Sequence, residues 1–448
     1  MHMLNDTTPD LQCDVAVVGG GPAGSTVSAL LAEMGWRVIL FEKERHPRFH
    51  IGESLLPLNL PILQRLGVLE QVREIGVVKH GAEFNSDEHP NGRTTFYFRD
   101  AMDKDHPYAF QVRRSEFDHL LLKNSAAKGV DVREAVRVLD VQRISGDRSL
   151  LAVEDEAGVR RTWSAAFVID ASGRDTFLAR RLKLKRKNPT HNTAAIFSHF
   201  EGVTRRPGAD AGNIAIYWFP HGWFWMIPLR DGSMSVGAVC WPEYLKQRTS
   251  APEAFLWETI RLCPSVHARM DGARMIAAAR ATGNYSYSAG SMYGDGFLLV
   301  GDAFAFVDPV FSSGVFLAMN GAAASAEVVD RCLRQPGLAP KLLARHERRM
   351  RRGIRSVSWF IHRFTSPAMH QMFMAPRNIA RMQEAVISIL AGDFYRKTPI
   401  GVPLALFKAV YYITAAKYLR HSWSSFRRRR RSTSVAFTGG TTPQDLEV

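Results

Sequence analysis

The first fifty residues alternate between short apolar runs and a stretch in which apolar residues recur at helical spacing. Residues 13–18 form a mostly apolar run that predicts a buried strand, and Val38 to Phe41 form a second run of the same kind. The stretch between them carries apolar residues about one helical turn apart, at Ala23, Val27, Leu30, Leu31 and Met34. A strand, a helix and a second strand in this order predict the first unit of a doubly wound α/β fold.

Glycines fill the turn between the first strand and the helix in the spacing G-x-G-x-x-G, at Gly19, Gly21 and Gly24. The first two glycines let the backbone turn tightly and approach a pyrophosphate, which then lies at the helix N-terminus. Gly24 lets the helix lie close to the strand, and Glu42 after the second strand can bind a ribose hydroxyl. We therefore predict a dinucleotide site here, and we include the adjacent Lys43 in it.

The glycine motif alone does not distinguish FAD from NAD, but two later stretches together favour FAD. Residues 167–176 predict a strand that ends in a glycine turn, and residues 296–322 predict a strand, a loop and a helix that begins near Gly314. An aspartate at a strand end can accept a ribityl hydroxyl, and a helix N-terminus can face the pyrimidine edge of a flavin. The residues assigned to FAD in these stretches are Asp170, Gly301, Asp302, Pro309 and Gly314.

These three motifs resemble the flavoprotein monooxygenase superfamily typified by p-hydroxybenzoate hydroxylase, over about residues 13–330. Arg113 in "FQVRRSEFD" matches a superfamily position that contacts the flavin. The resemblance implies an α/β fold with a Rossmann-type FAD-binding domain interleaved with a β-sheet substrate domain, followed by a helical C-terminal region. We expect a core at 1–335, with FAD-binding segments at about 13–80, 110–175 and 285–335, a substrate sheet at about 81–109 and 190–284, helices at 336–423 and a basic, disordered tail at 424–448.

Four further stretches resemble flavin-dependent halogenases: "GESLLP" (52–57), "VVKHGAEF" (77–84), "GWFWMIP" (222–228) and "DPVFSSGV" (308–315). The resemblance implies halogenation of an electron-rich aromatic with FADH2, oxygen, and chloride or bromide, by way of hypohalous acid. It assigns Lys79 as the catalytic lysine, which holds the oxidant as a chloramine or by hydrogen bonding. Lysine suits both roles because burial shifts its pKa readily. Halide is expected at the backbone of Ser313 and Gly314, while Trp223 and Trp225 separate flavin from substrate.

One departure from that family bears on the substrate. Halogenases of the tryptophan type carry a glutamate base just before the S/T-T-G segment, where this chain has Phe311. A phenol or a pyrrole is electron-rich enough to need less help from a base, so Phe311 favours such substrates. The base itself stays unassigned, with His80 beside Lys79 as one candidate.

Other interpretations of the same motifs remain open. Trp223 and Trp225 alternate along a predicted strand, so they share one face and could be ordinary core residues. The FAD motifs also suit two other enzymes, an aromatic hydroxylase and an enzyme resembling geranylgeranyl reductase. A third alternative is not an enzyme: a flavin-binding docking protein without catalysis. The chain shows no second glycine motif preceded by a strand, which favours FADH2 supplied by a separate flavin reductase.

The formal net charge of +15 favours an anionic partner. An acyl carrier protein bearing the aromatic substrate and an anionic membrane both fit, the latter through Tyr411, Tyr412, Tyr418 and Trp423 beside Arg427 to Arg431. No recognition motif supports nucleic acid binding.

Four widely separated cysteines predict neither a metal site nor disulfides, and two lysines argue against a membrane span at 398–419. We expect a cytoplasmic protein, with peripheral contact at the inner face of the membrane as a further hypothesis.

Overall fold

The computed structural model describes residues 11–144, 147–188, 191–283, 286–396 and 398–418. The predicted basic tail at 424–448, together with Trp423 and Arg427 to Arg431, lies outside the described residues.

The strands fall into an N-terminal group, a middle group and a group that precedes the C-terminal helices. In chain order they are β1 (Leu11–Val18), β2 (Val38–Phe41), β3 (Val77–Lys79), β4 (Gly81–Asn85), β5 (Arg93–Tyr97), β6 (Ala109–Gln111), β7 (Asp131–Arg133), β8 (Val136–Ile144), β9 (Arg148–Asp155), β10 (Arg160–Asp170), β11 (Lys185–Lys187), β12 (Ala194–Glu201), β13 (Ile214–Phe219), β14 (Gly222–Pro228), β15 (Met234–Cys240), β16 (Arg274–Met275), β17 (Arg280–Thr282), β18 (Tyr287–Ala289), β19 (Tyr293–Gly294), β20 (Phe297–Leu299) and β21 (Ala305–Phe306).

The helices alternate with strands early in the chain and follow one another at its end. In chain order they are α1 (Pro22–Glu33), α2 (Leu60–Leu66), α3 (Leu69–Ile75), α4 (Arg114–Ala127), α5 (Phe177–Arg181), α6 (Pro242–Lys246), α7 (Pro252–Arg261), α8 (Pro264–Arg269), α9 (Ser313–Arg334), α10 (Ala339–Ile361), α11 (Pro367–Met374), α12 (Met382–Leu390) and α13 (Gly401–Lys417).

The first large sheet has the strand order β19-β20-β10-β1-β2-β7, with β8 and β9 joined to the edge of β10. Strands β20, β10, β1, β2 and β7 run parallel. The centre of β1 is fully buried at Val15, Ala16 and Val17, as expected for a parallel strand that helices cover on both sides. Helix α1 crosses from β1 to β2 and packs against α9 and α4. The predicted Rossmann-type α/β fold is confirmed.

The second large sheet has the order β16-β12-β15-β14-β13-β4-β5, with β17 paired to β12. Its two faces belong to different cores because side chains alternate along a strand. On β14, Trp223 and Trp225 point into the large core that is shared with the first sheet. Phe224 and Met226 point into a separate core beneath α7 and α8. The sequence expectation that the two tryptophans share one face is confirmed, and β14 ends at Pro228.

A short antiparallel pair, β3 and β6, and a small sheet with the order β11-β18-β21 connect the two large sheets. After α9, the chain continues as helices, and α10 buries Leu343, His346 and Met350. Within the described residues, no helix has the length and apolar character needed to cross a membrane. On α13, the structure corrects one expectation: Tyr411 is buried against Trp359, so it is not a surface contact, whereas Tyr412 and Tyr418 are exposed.

Candidate functional site

The glycine turn at the C-terminal end of β1 has the geometry that a pyrophosphate site needs. Gly19 has a φ of +102°, a left-handed conformation that glycine adopts without strain. A Cβ on Gly24 would lie 1.8 Å from the carbonyl oxygen of Gly19, so only glycine allows α1 to begin this close to β1. A Cβ on Gly21 would meet only the Arg48 side chain, at 3.6 Å, which leaves room in front of the helix. Glu42 accepts a hydrogen bond from the Gly20 N–H at 2.7 Å.

A second glycine turn faces the first across the end of the sheet. Gly301 has a φ of +62° and lies against Ala23 of α1, so the strand end that carries Asp302 adjoins the glycine motif. Burial raises the pKa of the Asp302 carboxyl to about 6. No described residue donates a hydrogen bond to that carboxylate, so it is free to accept one from a ribityl hydroxyl. These features fit FAD, whose diphosphate and ribityl groups would lie along the two turns.

Three other residues assigned to FAD have protein partners. Asp170 is fully buried, and its carboxylate accepts hydrogen bonds from the Ser172 and Leu178 N–H groups at 3.0 and 2.8 Å. Lys43 forms an ion pair with Asp175 at 2.9 Å. Arg113 directly precedes α4 and forms an ion pair with Asp231 at the end of the second sheet. The structure thus places Asp170 under the turn, while Lys43 and Arg113 lie at the edges of this region.

The sequence did not identify two arginines near the cofactor turn. Arg48 lies 4.0 Å from Glu42 and 3.3 Å from Asp118, and it also bounds the space in front of Gly21. Arg114, the neighbour of Arg113, is buried and makes two hydrogen bonds to Asp118, at 2.8 and 2.9 Å. No sequence motif marks these residues, since their positions depend on contacts between β2, α4 and the loop after β2.

Lys79 ends β3 and is buried, with 1% of its surface exposed. Its Nζ donates hydrogen bonds to Ser54 Oγ at 2.9 Å and to the Leu55 carbonyl at 3.1 Å, and it lies 5.2 Å from the centre of the Phe98 ring. Burial lowers the pKa of Lys79 to about 7. Without a carboxylate partner, the charged form is disfavoured, so a large share of the amine is neutral at neutral pH.

Lys79 lines a small cavity that lies against β4 and β13 of the second large sheet, beside the turn before α9. Its walls are apolar except at Lys79 and at the turn before α9, and they comprise Leu56, Lys79, Ala82, Phe84, Phe98, Ile214, Ile216, Val310, Phe311, Ser312 and Leu390. Phe311 packs against Phe364 and Phe373, at ring distances of 5.6 and 6.1 Å. The cavity therefore combines a wall of phenylalanines with one amine. His80, the alternative base, is exposed on the opposite side of the chain.

The two tryptophans of β14 form one continuous wall. Their ring centres are 6.0 Å apart, and Trp225 Nε1 donates to Ser235 Oγ at 3.1 Å. Opposite Trp225 on β15 stands Gly237, where a Cβ would lie 2.4 Å from the Trp225 ring. On the other side, Trp225 pairs with Ile216 of β13, which lines the Lys79 cavity. Trp223 borders a second small cavity beside the turn at 308–310.

The turn at 308–314 leads from the second glycine turn into α9. Asp308 accepts a hydrogen bond from the Val310 N–H at 3.3 Å and opens a single 3-10 turn at Pro309–Phe311. Ser312 then adopts a φ of +55°, and α9 begins at Ser313. The Ser313 hydroxyl is buried without a hydrogen-bond partner, and a Cβ on Gly314 would meet no atom within 4 Å. An unpaired hydroxyl and an open helix start fit a bound anion.

Comparisons with known proteins agree with this geometry. A family model described as FAD binding domain matches residues 12–359. The chain is 31% identical, over 411 residues, to the 1H-pyrrole-2-carbonyl-peptidyl-carrier protein chlorinase of Pseudomonas fluorescens, covering 86% of this chain and 90% of the relative.

Two solved structures have the same fold. The myxobacterial chondrochloren halogenase, described as a variant of FAD-dependent halogenases, is 34% identical with a TM-score of 0.74, covering 87% of this chain and 92% of that one. A flavoprotein/dehydrogenase from Cytophaga hutchinsonii is 30% identical with a TM-score of 0.83, covering 91% of this chain and 100% of that one. The resemblance to halogenases and the assignment of FAD as cofactor are confirmed. The chain belongs to the flavin-dependent halogenases, oxidoreductases built on the FAD-binding domain.

Proposed function

We propose that this protein halogenates an electron-rich aromatic, a phenol or a pyrrole, with hypohalous acid that is held by Lys79. The observation that carries the proposal is the Lys79 amine, which is buried in a phenylalanine-lined cavity with its pKa lowered to about 7. A lysine in that position is costly to bury, and among the described residues no carboxylate offsets the cost. A reactive amine facing an apolar, phenylalanine-lined cavity accounts for it.

Bound FADH2 and O2 supply the two-electron oxidation of chloride or bromide to hypohalous acid, with FAD and water as the other products. The residues of this chain bind and separate the reactants. The glycine turns and Glu42 hold the cofactor, and the Ser313 hydroxyl with the start of α9 binds the halide. The wall of Trp223 and Trp225 keeps the aromatic substrate away from the cofactor, so the substrate receives halogen rather than oxygen.

Lys79 then delivers the halogen. In the covalent version, the neutral amine attacks the halogen of the acid, an N–X bond replaces an N–H bond, and water leaves. The aromatic ring takes the halogen, and its C–H proton is released as the amine N–H is restored. In the hydrogen-bonded version, Nζ donates to the acid instead, while Ser54 and Leu55 keep the amine oriented in both versions. Phe311 supplies no base, which suits rings that are activated by their own hydroxyl or nitrogen.

Two partners follow from this proposal. A separate flavin reductase supplies FADH2, and the aromatic substrate is free or attached to a carrier protein. Carrier attachment is supported by the similarity to a chlorinase whose name specifies pyrrole on a peptidyl-carrier protein. The surface also suits an anionic partner, because the net charge is +15. For a membrane, α13 in addition exposes apolar side chains at Val402, Leu406, Val410 and Ile413. We propose a cytoplasmic enzyme whose basic surface contacts the carrier or, peripherally, an anionic membrane.

The test combines the FAD-loaded protein with a flavin reductase, NADH, bromide and a panel of phenols and pyrroles, free and carrier-bound. Mass spectrometry then follows the bromine isotope pattern. We expect a brominated product from the wild-type protein and none from Lys79→Ala. The matched control is Lys185→Ala, because burial lowers the pKa of Lys185 to about 8, yet it lies on β11 away from the cavity.

Each result has a distinct meaning. A product that gains only oxygen would identify an aromatic hydroxylase. Reduction of an isoprenoid double bond, when an isoprenoid is added to the same mixture, would identify an activity like that of geranylgeranyl reductase. Equal bromination by wild type and Lys79→Ala would remove Lys79 from the reaction. Flavin binding without any product across the whole panel, carrier-bound substrates included, would favour a docking protein.

A further inference from the structure

A buried hydrogen-bond cluster surrounds Asp308, the residue that opens the turn before α9. The Asp308 carboxylate accepts hydrogen bonds from His191 Nε2 at 3.0 Å and from Thr193 Oγ1 at 2.7 Å, in addition to the Val310 N–H. All three side chains are at least nine-tenths buried. A carboxylate oxygen accepts and does not donate, so His191 carries its proton on Nε2.

The cluster joins three parts of the fold. His191 and Thr193 directly precede β12 of the second sheet, whereas Asp308 lies in the turn that follows the first sheet. The His191 ring also stacks on His362, with ring centres 5.2 Å apart, just after the C-terminal end of α10. The substrate sheet, the turn before α9 and the C-terminal helices are thus held together at one buried carboxylate.

Apolar packing and hydrogen bonds both hold this turn, and its Val310 and Phe311 side chains are buried in the large core. Val310 lines both the Lys79 cavity and the second cavity, which Trp223, Asp308 and His191 border as well. Two small cavities therefore border the turn at Val310. In addition, Ser312 adopts a left-handed conformation that non-glycine residues avoid unless their surroundings impose it. The hydrogen bonds to Asp308, together with the bond from the Ser312 N–H to the Pro309 carbonyl at 2.8 Å, are the polar interactions that position Ser312 and the start of α9.

We propose that His191 and Thr193 are positioning residues for halide binding, acting through Asp308 on the turn that presents Ser313 and Gly314. The inference rests on the proposed function, because it assumes that halide binds at this turn. His191 and Thr193 hold the Asp308 carboxylate in place, and that carboxylate holds the Val310 N–H. The turn then directs the Ser313 hydroxyl and the first N–H groups of α9 toward the anion. The two cluster residues do not touch the halide or the aromatic substrate.

The experiment measures chloride binding directly, by the broadening of the chloride-35 NMR signal in the presence of the FAD-loaded protein and its reversal by bromide. Thr193→Val removes one hydroxyl at nearly constant volume, and His191→Leu removes the ring donor. We expect each to weaken chloride binding by about tenfold or more, as expected when a hydrogen bond to a charged group is lost. His191→Gln, whose side-chain amide can donate to Asp308, should restore much of the affinity.

The matched control is His346→Leu, because His346 on α10 is equally buried and is hydrogen-bonded to Ser325 at 3.0 Å, at a point of α9 far from the turn. It should lose thermal stability as His191→Leu does, while keeping chloride affinity. In turnover assays, the two cluster variants should raise KM for halide more than they lower kcat.

Wild-type affinity in both Thr193→Val and His191→Leu would overturn the proposal. So would equal loss of affinity in His346→Leu, because that result would indicate general destabilisation. If the wild-type protein shows no reversible broadening, the turn binds no halide, and the positioning role falls with it. Bromination by that same preparation would then show that the proposed function survives without this halide site.

Discussion

Replacing Lys79 by methionine should change the stability of the protein in a pH-dependent way. Burial lowers the pKa of Lys79 to about 7, whereas the ordinary value is 10.5. Between these two pH values the unfolded chain binds one more proton than the folded chain, so the free energy of unfolding rises with pH. At about 1.36 kcal/mol per pKa unit, the buried lysine costs roughly 4 kcal/mol at pH 7 and roughly 1 kcal/mol at pH 9.5.

Methionine has a similar length and no charge, so it removes this cost. It also leaves the Leu55 carbonyl without its donor, which costs about 1–2 kcal/mol at any pH. Lys79→Met should therefore stabilise the protein by about 2.5 kcal/mol at pH 7 and destabilise it by about 0.5 kcal/mol at pH 9.5. With an unfolding entropy of about 2.1 cal/mol/K per residue, a chain of this length shifts its Tm by about 1 °C per kcal/mol.

The assay is thermal unfolding of FAD-loaded wild type and Lys79→Met at a series of pH values from 7 to 9.5, at constant ionic strength. The Tm advantage of the variant should shrink by about 3 °C across that range. Lys43→Met serves as the control. Burial lowers the pKa of Lys43, but its hydrogen bond and ion pair with Asp175 raise it overall, so its contribution stays constant below pH 10.5. A Tm difference for Lys79→Met that does not change with pH would refute the reasoning.

Three further predictions concern activity and folding. If the neutral amine of Lys79 reacts, bromination at saturating substrate should rise about fivefold to tenfold from pH 6 to pH 8 and then level off, and a flat profile would favour the hydrogen-bonded version. Gly24→Ala places a Cβ 1.8 Å from the Gly19 carbonyl oxygen, so the purified protein should carry no flavin absorbance, and a normal FAD content would contradict the tight turn. Gly237→Val collides with the Trp225 ring and should cost about 1–3 kcal/mol or more, measured as a lower Tm, whereas an unchanged Tm would show that the ring can move.

The sequence predicted the parts of this protein that depend on local order. The strand from 13 to 18, the glycine turn, α1 and the strand at Val38 to Phe41 follow one another without interruption, so periodicity and glycine spacing suffice. The shared face of Trp223 and Trp225 is likewise local, since it follows from the two-residue repeat of a strand.

The sequence predicted the chemistry around Lys79 only in part, because that chemistry depends on contacts between distant segments. The sequence marks Lys79 through its resemblance to a family motif, but not its burial or its hydrogen bonds to Ser54 and Leu55. The pairing of His191 with Asp308 joins positions 117 residues apart, and no spacing rule connects them. Adjacent residues with different roles are equally hard to predict from the sequence. Arg113 and Arg114 are neighbours, yet Arg114 is buried against Asp118.

The tryptophan wall of β14 has a consequence for how such an enzyme could change over time. Trp223 and Trp225 belong to the core that unites the two large sheets, whereas the opposite face of β14 packs in a core of its own. A mutation that opens the wall to admit a new reaction therefore also loosens the junction between the sheets. Lineages that explore such chemistry would need stabilising substitutions elsewhere, and the same holds for those that reshape the Lys79 cavity at Phe98 or Phe311, because both phenylalanines belong to the same core.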